Sequence, residues 1–110
     1  MSLAPAHYDF GAESNYAFAT TVTCANEEAR KMYVEAHGHM LNYNHEQAIA
    51  CFMNCTELDP NCAMAWWGIA YASGPFYNRP WIRFSEAEIA ATLPVCFEAA
   101  QNALARAETA

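Results

Sequence analysis

The sequence predicts an all-α fold: about two stacked helical hairpins behind an irregular amino-terminal arm. Three observations carry this. Residues 44–71, NHEQAIACFMNCTELDPNCAMAWWGIAY, hold a polar start, an apolar stripe at helical spacing, an Asp-Pro stop and a second apolar helix. Hydrophobic residues make up 55% of the chain, above the roughly 45–50% of ordinary globular proteins, and alanine, the best helix former, dominates them. Only four glycines occur, which argues against a turn-rich β architecture.

Residues 1–22 show little helical period. Tyr8, Phe10, Tyr16 and Phe18 read as an irregular arm whose aromatics dock on the helices or form a contact patch. The first helix begins near Thr23 to Asn26. Asn26 can cap it, and Glu27 and Glu28 suit the positive end of its dipole. Its stripe is Ala29, Met32, Tyr33, Ala36 and Met40, and Asn42-Tyr43-Asn44 breaks the pattern. Asn44 with Gln47 resembles a capping box for a second helix, whose stripe is Ala48, Ile49, Phe52, Cys55 and Leu58. Asp59-Pro60 ends it, because proline disfavours helical geometry in the residue before it. Pro60 and Asn61 are placed to launch a third helix carrying Ala63, Trp66, Trp67, Ile69, Ala70 and Tyr71, apolar on most sides. Gly74-Pro75 stops that helix.

Residues 74–84, GPFYNRPWIRF, read as an aromatic-rich loop. Ser85 to Glu88 is a capping box that opens a fourth helix, with the stripe Ile89, Leu93, Cys96, Phe97, Ala100, Leu104 and Ala107. Pro94 falls inside it. Either the helix kinks there, or a short helix ends near Thr92 and another starts with Pro94 in its first turn.

A formal charge of −7, from five basic and twelve acidic residues, disfavours nucleic acid and anionic membrane surfaces as partners. A basic or largely apolar protein or peptide fits better. No run of about 18 apolar residues predicts a membrane span. The first twenty residues lack the pattern of a signal peptide. Five cysteines in no dense disulfide spacing then read as reduced thiols in a cytoplasm.

Catalytic motifs are not legible: there is no phosphate loop, nucleophile elbow or paired-carboxylate pattern. His37, His39 and His45 cluster beside Glu35 and Glu46, but His37 and His39 point about 200° apart on a helix. Cys51 and Cys55 share a helical face, with Cys62 beyond the turn. The spacing matches no zinc knuckle or haem motif, and packing explains Cys55. No metal or cofactor is therefore assigned, and the chain is expected not to be an enzyme. A small helical metal- or cofactor-binding domain using His and Cys side chains stands as the alternative.

Ala48, Phe52, Cys55 and Pro60 follow the small–aromatic–small–proline order of one family's second helix. Trp66 follows Met32 by 34 residues, and ELDPN leads into Ala65-Trp66. On these residues the segment 26–73 resembles the tetratricopeptide repeat (TPR) family. The resemblance implies a right-handed α-solenoid fragment with units of roughly 26–60 and 61–108, an arm over 1–25 and a loop insertion at 74–84. Stacking would bury stripes that one hairpin cannot hide, with Phe52 and Trp66 meeting between successive pairs. Two hairpins are few for a stable stack. The chain is therefore expected to be a piece of a longer array, to be capped by its arm and loop, or to self-associate. By the family's pattern, the first helix of each unit lines a concave groove. Arg30, Tyr33, His37 and Met40 would face it from one unit, and Met64, Trp67 and Tyr71 from the next. The implied function is a non-catalytic scaffold that holds a protein or peptide there.

Overall fold

A computed structural model describes residues 22–75 and 79–107. Most of the expected amino-terminal arm lies outside these residues, as do Phe76 and Tyr77 of the expected loop. Four α-helices follow in order: α1 (Glu27–Leu41), α2 (His45–Leu58), α3 (Ala63–Ser73) and α4 (Glu86–Arg106), with a short 3-10 turn at Trp81–Arg83 before the last. The fold is all-α. Each helix packs on its sequence neighbours, and α1 also touches α3. The connections after α1 and α2 are short, and connections of that length return a chain antiparallel.

The ends of the helices show where local chemistry decides. Asn26 caps α1 as expected, its side chain accepting from the Ala29 N–H at 2.8 Å. Asp59 ends α2 in extended geometry, as a residue before proline should. Ser85 and Glu88 form a complete capping box on α4, each side chain accepting the other's backbone N–H at 3.1 Å. Ser85→Ala is expected to cost about 1 kcal/mol, read from the urea midpoint of unfolding.

Two local expectations are corrected, and one alternative is decided. Asn44 stands at the N-cap of α2 but makes no side-chain cap hydrogen bond. Its amide Nδ2 instead lies 3.2 Å from His39 Nδ1, so the side chain serves the end of α1 rather than the start of α2. The third helix is capped by Cys62, not launched by Pro60 and Asn61. Of the two alternatives at Pro94, the structure has the one that keeps it inside a single helix, where it leaves one ladder hydrogen bond unmade.

The core runs along the seam of α1, α2 and α3 around a fully buried Phe52. The Tyr33 ring meets it at 5.8 Å. Gly68 of α3 also lies against this ring, where an added Cβ would stand 2.5 Å from ring atoms Cδ1 and Cζ. Glycine here permits close approach of two helices. Trp66 is half-buried against the same core. Its indole N–H donates to the Pro60 carbonyl at 2.9 Å, and the Arg106 guanidinium lies 5.2 Å from the ring. Arg106 Nε also donates to the Pro60 carbonyl at 2.7 Å, tying the end of α4 to the α2–α3 corner. Beyond that tie α4 buries little: Ala99 is its one buried residue, while Leu93, Phe97 and Leu104 are exposed.

Candidate functional site

An open cleft of about 540 Å³ lies between the end of α1, the end of α3, the 3-10 turn and the middle of α4. Met40, Leu41, Tyr43 and His45 line one side; Ala70, Tyr71, Gly74, Pro75, Trp81 and Cys96 line the rest. The lining is mostly apolar and aromatic, with few polar groups to fix a ligand's orientation, which suits side chains of a peptide. Leu41, Tyr43 and Tyr71 stay exposed beside it.

Tyr43 reaches the rim at a cost. The Tyr43 N–H bonds to the Met40 carbonyl at 3.1 Å and the Asn44 N–H to the His39 carbonyl at 2.9 Å. This is the Schellman pattern, whose turning residue is usually glycine in left-handed geometry. Here that residue is tyrosine, at φ 60°. An L side chain pays about 1–2 kcal/mol for that conformation. In return, the phenol ring stands 68% exposed next to the cleft, 6.4 Å from the His45 ring.

The structure separates the seven groove residues read from the sequence. Met40 and Tyr71 line this cleft. Trp67 stacks on Tyr71, ring centroids 5.1 Å apart, and braces it from the core side. Tyr33 and Met40 are buried, at 2% and 7% exposure, so Tyr33 is a core residue and Met40 offers only an edge. His37 is half-buried against the Tyr33 ring at 5.7 Å, and burial lowers its pKa. Arg30 turns elsewhere, to Glu27 at 3.3 Å and the Val22 carbonyl at 2.8 Å. Met64 is exposed and does not line the cleft.

A second constellation lies at the start of α1, away from the cleft at its end. The Sγ atoms of Cys24, Cys55 and Cys62 all lie within 4.8 Å of one another, with Cys24 and Cys62 at 3.5 Å. They come from three places: the segment before α1, the last turn of α2 and the N-cap of α3. The Cys55 thiol pulls the Cys62 thiol down to about 6, helped by the Ala65 N–H at the helix start and by Cys24, against the effect of burial. The single Cys55 proton has a second acceptor, the Ala29 carbonyl at 3.3 Å. When it points there, Cys62 keeps only the Ala65 and Cys24 donors. Burial, then the Cys62 contact, pushes Cys24 up to about 12, and the same contact with burial pushes Cys55 up.

Known proteins offer no guide: no family model, no curated protein and no solved structure matches this chain.

Sequence reasoning grouped Cys51 with Cys55 and Cys62, because Cys51 and Cys55 share a helical face. The structure replaces Cys51, buried elsewhere in the core, with Cys24. Cys24 lies 38 residues from Cys62, and no spacing rule joins them. What brings them together is the Asp59 carboxylate, which accepts from the Ala25 N–H at 2.7 Å and so fixes the segment before α1 on the α2–α3 corner. Tyr43, Leu41 and Trp81 were likewise missed at the cleft. A tyrosine in the slot where a helix end favours glycine or asparagine was the available signal for Tyr43.

Proposed function

We propose that this chain is a non-catalytic helical scaffold of the tetratricopeptide kind, which grips a peptide or protein segment in the apolar cleft between α1, α3 and α4. The observation that carries the reading is Tyr43. A bulky residue kept in left-handed geometry, where glycine or asparagine would be more stable, and exposed at a cleft rim, is a stability cost located at a surface that can bind. The sequential packing of short-linked helices and the 34-residue interval from Met32 to Trp66 support the repeat reading. The net charge of −7 favours a segment with apolar anchors and basic flanks.

The test uses peptides selected on the wild-type protein from a random displayed library, measured by fluorescence polarisation. Tyr43→Asn relieves the strain and removes the ring. It should raise stability by about 0.5–1 kcal/mol and weaken selected peptides by about tenfold, the weight of a rim aromatic worth over 1 kcal/mol. Peptides that bind the variant and the wild type equally would refute the cleft as the site.

A further inference from the structure

We propose that Cys24, Cys55 and Cys62 form a three-thiolate site for a thiophilic divalent cation of the zinc class, which staples the segment before α1 to the α2–α3 corner. The three Sγ atoms lie within 4.8 Å of one another, the closest pair at 3.5 Å. Three sulfurs around one zinc, each bonded at about 2.3 Å, sit roughly 3.8–4.0 Å apart. The observed spread brackets that value, so ordinary rotamer adjustment closes the site.

The composition of the core gives the site its purpose. The largest fully buried side chains are Phe52, Cys51, Cys55 and Cys62. Three of the four are cysteines, which bury less apolar area than Leu or Ile. A metal staple supplies cohesion that such a core lacks, and it does so between segments far apart in sequence.

Charge selects the ion. Three thiolates leave a net −1 around a divalent cation and −2 around a monovalent one. The buried Asp59 carboxyl and the Arg30 guanidinium both act on Cys24, in opposite directions. The divalent ion therefore leaves less uncompensated charge in the interior. Thiol protons displaced on coordination pass to solvent. Cys24 is half-exposed, so the ion can reach the cluster from solvent on that side.

The experiment takes the full chain, reduced and stripped of metal. It is titrated with zinc against a chromophoric chelator, and separately with cadmium while following the ultraviolet thiolate-to-metal band. One equivalent of each is expected to bind, with a rise in melting temperature. Outer-shell changes at metal sites cost about 10–100-fold in affinity, so losing a ligand in Cys24→Ser should cost more than about 100-fold. Cys24 is half-exposed, so this variant tests the site without opening the core. Cys51→Ala, a change elsewhere in the core, should bind metal as the wild type does. Sub-stoichiometric binding would overturn the proposal, as would equal affinity in Cys24→Ser or equal loss in Cys51→Ala. Tight binding of cuprous ion without zinc would overturn the divalent assignment. None of these results bears on peptide binding at the Tyr43 cleft, which lies at the other end of α1 and shares no residue with the cluster.

Discussion

Phe52→Ala is expected to destabilise the fold by about 3–5 kcal/mol, a large share of the roughly 5–15 kcal/mol that holds a domain together. The ring is fully buried in the seam of three helices, against Tyr33 and Gly68. A second substitution makes the prediction specific. Gly68→Ala alone gains up to about 1 kcal/mol of helix propensity. It also drives a methyl into the fully buried Phe52 ring, costing about 1–3 kcal/mol. The clash should win in the wild-type background. In the Phe52→Ala background the clash is gone and the methyl fills part of the cavity, so Gly68→Ala should now stabilise. Urea unfolding of the four proteins measures the sign change as a coupling of about 2–3 kcal/mol. A Gly68→Ala protein as stable as the wild type would mean that the helices are not this close.

Asp59→Ala is the second large effect, expected at about 2–3 kcal/mol. The carboxylate is 5% exposed and accepts two backbone N–H groups, from Ala25 at 2.7 Å and Asn61 at 3.1 Å. Hydrogen bonds to charged groups contribute about 1.5–3 kcal/mol, and the exposed positions of Ala25 and Asn61 let water recover part of the loss. Asp59→Asn keeps one acceptor and should lose roughly half as much. The effect has an address: amide exchange should quicken at residues 22–26 before it does in α2. Uniform loss of protection across α1 to α3 would show that Asp59 serves the whole core instead.

The same residue shows where sequence reasoning reached its limit. Asp59 was legible as a helix stop, because the rule that a residue before proline avoids helical geometry is local. That its side chain also clamps the segment before α1 was not legible, because the partner lies 34 residues away. The caps at Asn26 and Ser85 were readable for the local reason, and the cap expected at Asn44 failed because a tertiary neighbour, His39, took the amide. Groove residues fared in the same way. Tyr33 and Tyr71 both read from the sequence as facing the groove, yet one is buried against Phe52 and the other stands 59% exposed.

The order of elements, their type and most of their ends followed from the chain alone: side-chain period, capping chemistry and proline act within a few residues and need no partner. Tertiary structure decided which apolar stripe became core and which stayed wet, and which three of five thiols met. Those outcomes depend on how closely α3 approaches α2 at Gly68 and on where Asp59 anchors the chain before α1. Packing distance and long-range hydrogen bonds join residues that no local pattern pairs.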